Sequence, residues 1–137
     1  MTRYNIAEGH VREPSRGTIL LIEEDGSLRL SLVEAIRSEG FMVIEAEDGE
    51  SALSIALSRH PDLIMLDLLL PKMGGMQLLK TLRQYEWGKT ARVIILSALS
   101  DPAIVSEAST LGVTDFLVKS DWSTEGIISK IKQKFLE

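Results

Sequence analysis

Leu63-Ile64-Met65-Leu66-Asp67-Leu68-Leu69-Leu70-Pro71-Lys72-Met73-Gly74-Gly75 is the stretch that decides the fold. Its first four residues form a short, unbroken apolar run, the pattern of a strand buried on both faces of a parallel sheet. Asp67 closes that run, and a carboxylate ending a buried strand costs free energy unless other groups compensate it. Companions stand elsewhere in the chain. Other strand-like runs end in Glu23-Glu24-Asp25, in Ser97 and in Lys119. Acids, one hydroxyl and one ammonium, each closing a different buried strand, make a set suited to holding a divalent metal and a phosphoryl group.

Outward from this stretch two kinds of segment alternate. Apolar, β-branched or Leu-rich runs lie at 19–22, 41–44, 63–66, 93–96 and 116–118. Between them the apolar spacing is helical: Leu28, Leu32 and Ile36 recur four apart, with Gly40 placed to stop the helix. Ala52, Ile55 and Ala56 line a second helix that ends before Pro61, and Leu78, Leu79 and Leu82 a third. Asp101-Pro102 reads as an N-cap followed by a first-turn proline, opening a fourth helix that stops near Gly112. Ile127, Ile128, Ile131 and Phe135 line a fifth, with Asp121 or Ser123 as its cap. Strands alternating with helices predict an α/β fold: a parallel sheet covered on both faces, its connections right-handed. Every strand then ends on one edge, where such sheets carry their sites. The polar residues named above sit at those ends. Residues 1–17 lack a sustained apolar period and read as a flexible N-terminal extension, leaving 18–137 as the domain.

Composition narrows the function. With 45% hydrophobic but only 5% aromatic residues, the core must be aliphatic, and 137 residues make one domain. Fifteen basic residues against 20 acidic ones argue against a chain built to grip nucleic acid backbone. The absence of cysteine excludes thiolate chemistry and a disulfide framework. No apolar stretch is long enough to span a bilayer, and no signal-peptide core opens the chain, so a cytoplasmic location is expected.

Beyond these readings the residues resemble a known family. Ile19-Leu20-Leu21-Ile22-Glu23-Glu24-Asp25, Ala46-Glu47-Asp48-Gly49, the stretch from Pro61 to Gly75, Val93-Ile94-Ile95-Leu96-Ser97-Ala98 and Asp115-Phe116-Leu117-Val118-Lys119 together resemble the receiver domain of two-component response regulators. The resemblance covers residues 18–137. It implies a flavodoxin-like, doubly wound five-stranded sheet of order 2-1-3-4-5 with five helices. It also implies that Asp67 accepts a phosphoryl group from a histidine kinase or phosphotransfer protein. By the family pattern Mg²⁺ is held by Asp67, Glu24 and the backbone carbonyl of Leu69, with Glu23 orienting bound water. Lys119 pairs with the phosphoryl group, Ser97 donates to it, Ala98 leaves it room, and Ser97 and Phe116 form the switch. Leu69 and Leu99 flank the acyl phosphate. Output is expected through the face of the fourth helix, fifth strand and fifth helix, at 104–111 and 122–135, toward a protein target or a second copy of the chain.

Three positions depart from the family pattern. Glu24 stands where Asp is usual, and one extra methylene moves its carboxylate by roughly 1.5 Å. The expected consequence is a Mg²⁺ site weakened, shifted toward Asp25 or bridged by water. Ser120 follows Lys119 where a proline in a cis bond is usual. A cis bond there would cost about 3 kcal/mol, so the loop is expected to be trans and reshaped, or strained and held. Phe116 replaces the common Tyr and can signal only by packing.

Rival readings fare worse. A pseudo-receiver, the same fold used for binding or dimerisation without phosphorylation, draws support from Glu24 and Ser120. A haloacid-dehalogenase-type phosphatase needs a second Asp where Leu69 stands. A flavodoxin-type cofactor binder needs a phosphate loop where Glu23-Glu24-Asp25 would repel one. Gly88-Lys89-Thr90 imitates the tail of a nucleotide phosphate loop, but Arg83 occupies the position of its first glycine. His10 and His60 read as surface residues, and Lys130, Lys132 and Lys134 as the wet face of the last helix. Outside 18–137 no DNA-binding or enzymatic domain fits. The expected protein is a stand-alone regulator, a relay intermediate, or one domain of a longer chain.

Overall fold

The computed structural model describes residues 15–137; most of the extension expected at 1–17 lies outside the described residues. Five parallel strands, β1 (Thr18–Ile22), β2 (Met42–Ala46), β3 (Leu63–Leu66), β4 (Val93–Ser97) and β5 (Asp115–Val118), lie in the order β2-β1-β3-β4-β5. Five helices alternate with them: α1 (Gly26–Ser38), α2 (Gly49–Arg59), α3 (Gly75–Leu82), α4 (Pro102–Thr110) and α5 (Thr124–Leu136).

Strand side chains alternate between two cores, as the two-residue period of a strand requires. Ile19, Leu21, Leu63, Met65, Ile94 and Leu96 face α1 and α5. Leu20, Ile22, Ile64, Leu66, Val93 and Ile95 face α2, α3 and α4. With apolar residues on both faces, the sheet can place charge only at its ends.

The helix boundaries follow the sequence signals. Asp25, Asp48, Asp101 and Ser123 cap α1, α2, α4 and α5 by accepting backbone N–H bonds, and Pro102 opens α4. Gly40 follows α1 in the left-handed conformation at φ 93°, which a side chain would resist.

Two expectations need correction. The second strand runs to Ala46 because β2 is a sheet edge, where Glu45 can leave the apolar run and stay exposed. Lys130 and Lys134 are not a wet face: their side chains are only 24% and 12% exposed, folded onto Asp115. Two short 3-10 helices, at Trp87–Lys89 and Lys119–Asp121, carried no signal in the apolar periodicity.

Candidate functional site

Asp67 stands one residue past β3, and its N–H still donates to the Ile22 carbonyl at 3.0 Å, so the sheet ladder fixes its backbone. Its Oδ1 accepts the Leu69 N–H at 3.1 Å, turning the chain immediately after it. The loop beyond closes because residue 75 is glycine. Its N–H donates to the Leu68 carbonyl, and a Cβ there would lie 2.5 Å from the Leu68 Cα and 2.6 Å from the Asp67 carbonyl oxygen. The first turn of α3 therefore presses directly on the backbone that carries Asp67.

Glu23 occupies the matching position past β1, where its N–H donates to the Ala46 carbonyl. Both carboxyls are buried, Glu23 at 2% exposure and Asp67 at 4%. Lys119, one residue past β5, reaches both: its Nζ lies 2.8 Å from Glu23 Oε1 and 3.3 Å from Asp67 Oδ2. One ammonium thus serves two buried carboxylates. Burial raises the Glu23 pKa, and the nearby Asp67 charge adds to the rise while Lys119 and the Asp25 N–H oppose it. Burial alone would lower the Lys119 pKa, but its hydrogen bond to Glu23 and the field of Asp67 outweigh that, so it is raised. The cluster carries excess negative charge in a shielded place.

Ser97, fully buried at the end of β4, accepts the Leu99 N–H at 3.1 Å. Ala98 is exposed and Leu99 half-buried beside it, while Leu69 is 52% exposed. Phe116 is half-buried against the core under α2–α4. Glu24 departs from this gathering: its side chain is exposed and lines a shallow cavity with Glu47, Asp48, Pro71 and Lys72. Asp25 is committed to capping α1 through the N–H groups of Ser27 and Leu28. Among the described residues no three acidic or histidine side chains are gathered into a metal cluster. No cis bond occurs there either, and Lys119 opens a trans 3-10 turn.

Arg29 is a residue whose role the apolar pattern concealed. From α1 its Nη1 donates to the carbonyls of Glu23, at 2.7 Å, and Glu24, at 3.3 Å. Its other nitrogens meet Glu45 and Glu47 across β2. The guanidinium pins the acidic turn from behind. The signal was its spacing, six residues after the first acid.

The fold carries its polar cluster at the carboxyl ends of the strands, and the comparisons identify the family. The response regulator receiver domain family matches residues 19–132; the chain belongs to that family. It is 31% identical over 101 residues to sporulation initiation phosphotransferase F of Bacillus subtilis, covering 74% of this chain and 80% of that protein. To the chemotaxis protein CheY of the same organism it is 32% identical over 102 residues, covering 74% and 83%. A probable transcriptional regulator, ycf27 of Porphyridium aerugineum, is 39% identical over 101 residues, but only 41% of its length is spanned. Among solved structures, the NarL signal receiver domain of Mycobacterium tuberculosis superposes with a TM-score of 0.78 at 30% identity, covering 90% of this chain and 98% of that one. The chemotaxis response regulator CheY4 of Vibrio cholerae gives 0.78 at 25%, covering 85% and 97%. The chain is thus a receiver domain of two-component signalling, a class of signalling domain and not of classical enzymes. Among the described residues no helix is long and apolar enough to cross a membrane.

Proposed function

We propose that this domain accepts a phosphoryl group on Asp67 from the phosphohistidine of a sensor kinase or phosphotransfer protein, in the cytoplasm. The observation that carries the reading is Lys119 bridging buried Glu23 and Asp67. A carboxylate is a weak nucleophile, so the transfer depends on positioning and on neutralising charge. An Asp67 carboxylate oxygen forms the bond to phosphorus as the bond to the donor's imidazole nitrogen breaks, leaving the donor a neutral histidine once it takes up a proton. Lys119 then turns from the carboxylates toward the new phosphoryl oxygens. The Ser97 hydroxyl donates to one of them, and the half-buried Phe116 follows by packing.

The donors suit Mg²⁺ in chemistry, being hard oxygens around a negative cluster held above ordinary carboxylate energy by burial. Asp67, Glu24 and the Leu69 carbonyl would hold the ion, with Glu23 acting through water and Glu24 swinging in from the rim. When bound, the ion neutralises charge on the phosphoryl oxygens during transfer. Leu69 and Leu99 are apolar and cannot position an attacking water, which supports a slowly decaying acyl phosphate. The exposed placement of Glu24 favours the alternative of a pseudo-receiver that signals by binding alone.

Intact-mass spectrometry after incubation with acetyl phosphate, with and without Mg²⁺ and beside Asp67→Ala, separates the two. A phosphate adduct requiring both Mg²⁺ and Asp67 is expected. No adduct, together with amide signals near Glu24 and Asp67 that Mg²⁺ leaves unmoved, would establish the pseudo-receiver.

A further inference from the structure

At the opposite edge of the sheet, where β4 and β5 begin, lies a second polar cavity of about 210 Å³. Its wall carries Arg83, Lys89, Arg92 and Lys134, the hydroxyls of Thr90 and Thr114, and no carboxylate. One of these cations is held in an unusual way. Among the described residues the Arg83 guanidinium bonds only backbone carbonyls, Nε to Leu111 and Nη1 to Gly88 and Ala91, at 2.7–2.8 Å. Arg92 donates to the Lys134 carbonyl and to the main-chain oxygen of Glu137, which in this structure is a terminal carboxylate oxygen.

Arg83 is half-buried, and peptide dipoles compensate its charge only in part, which leaves the guanidinium able to meet an anion. Burial lowers the Arg83 pKa, yet a guanidinium stays charged throughout the working pH range. The neighbouring acids do not fill the gap. Glu86, which meets Lys89, is almost fully exposed, and Asp115 and Glu137 meet Lys134 outside the wall; Asp115 also accepts the Thr114 hydroxyl, which leaves that of Thr90 for an anion. Gly88-Lys89-Thr90 re-enters here in a different geometry from a nucleotide loop, at the end of a 3-10 helix, with Lys89 and Thr90 on the wall.

We propose that this cavity binds a compact tetrahedral oxyanion, phosphate or the head of a small phosphate monoester, between the guanidiniums of Arg83 and Arg92, the Lys89 ammonium and a threonine hydroxyl. The volume admits such a head group. The site is separate from Asp67, lying at the other end of the strands, and does not depend on phosphorylation.

The test is a ¹⁵N NMR titration of the full chain, free of divalent cations, with inorganic phosphate, with O-phosphoserine, and with chloride at matched ionic strength. Saturable shifts are expected at Thr90, Gly112 and Thr114 with phosphate and not with chloride. Asp67→Ala should leave them intact, and Lys89→Gln with Arg92→Gln should weaken binding about tenfold. Equal response to phosphate and O-phosphoserine assigns the site to the head group; response to phosphate alone assigns it to the free anion. Arg83 holds three carbonyls and is left unchanged, so that folding is not at issue. Shifts that follow ionic strength alone, survive the double variant, or vanish in Asp67→Ala would overturn the proposal.

Discussion

β5 has a charged cluster at each end, and the two are inverted images. At its start, Asp115 is clasped by Lys130 and Lys134, both from α5 and four residues apart. One residue past its end, Lys119 is clasped by Glu23 and Asp67, drawn from two other strands. Burial would raise the Asp115 pKa, but the two lysines prevail and it is lowered. The Glu23 pKa is instead raised by burial, which its single lysine does not overcome. A carboxylate between two cations is satisfied and structural. Two carboxylates sharing one cation form a cluster still short of positive charge, as the proposed binding of a metal ion and a phosphoryl group requires. Surplus charge marks the working end.

The largest expected break in this comparison comes from removing the shared cation. Lys119→Ala should cut the rate of Asp67 loading by acetyl phosphate about 100-fold, because it deletes a preorganised charge at the reacting oxygens. Lys134→Ala, at the other end, should change that rate less than about twofold, since nothing there touches the acceptor. Parallel time courses by intact mass check both. Equal losses would mean that Lys119 serves only the fold.

Next in size is Gly75→Ala. A Cβ at 75 would meet the Asp67 and Leu68 backbone at 2.5–2.6 Å, so either α3 or the acceptor loop must move. A loss of about 2–3 kcal/mol in urea unfolding is expected, with amide shifts concentrated at 67–75 while those at 114–118 stay put. Shifts spread evenly over both ends would contradict the local account.

The comparison also predicts opposite signs with pH. The Asp115 pKa is lowered in the folded state, so its contribution is complete above the unfolded value of 3.8 and disappears as pH falls through the folded value. Asp115→Asn should therefore cost about 1 kcal/mol at pH 7, with the gap to wild type closing in acid. The Glu23 pKa is raised above 4.5, so the cost of its charge appears as pH rises past 4.5 and is complete above the folded value. In metal-free buffer Glu23→Gln should be neutral or stabilising by about 0.5–1 kcal/mol at pH 7, as replacements in charged functional sites often are. Thermal melts across pH 3–8 decide. Two destabilised variants with the same profile would erase the distinction between the ends.

How much of this was legible in the sequence follows from what each signal reports. Apolar runs and helical spacing report burial, and burial fixed five strands, five helices and the edge that carries Asp67, Glu23, Ser97 and Lys119. Asp101 and Ser123 were readable as caps because capping is a local matter, and Asp25 and Asp48 cap by the same rule without having been singled out. Pairings across the fold left no periodic trace. Lys130 and Lys134 fit an exposed stripe until Asp115 turned them inward, and Arg29 sits among the apolar positions of α1 with nothing in their spacing to reveal that it holds two carbonyls. Glu24 matched the family by position, yet its longer side chain lies at the rim. The turn after Lys119 was bounded by the cost of a cis bond before serine, but its 3-10 form depends on contacts that only the fold supplies.

The smallest predicted effect concerns how each end closes its turns. Leading into β2 and β5, the left-handed positions are filled by Gly40 and Gly112, which adopt φ 93° and 82° without penalty, whereas His60, leading into β3, takes φ 47° as the C-cap of α2. In the acceptor loop the same region of conformation falls to Lys72, at φ 67°. Its ammonium lies 4.0 Å from Asp48, a mostly exposed contact worth little. The strain of a non-glycine residue in that conformation is of order 1 kcal/mol. Lys72→Gly should therefore stabilise the domain by up to about 1 kcal/mol, less the entropy glycine adds to the unfolded chain, while Lys72→Ala removes the ammonium and keeps the strain. If the alanine variant is stabilised as much as the glycine one, the ammonium's charge, and not backbone strain, is the cost carried at the working end.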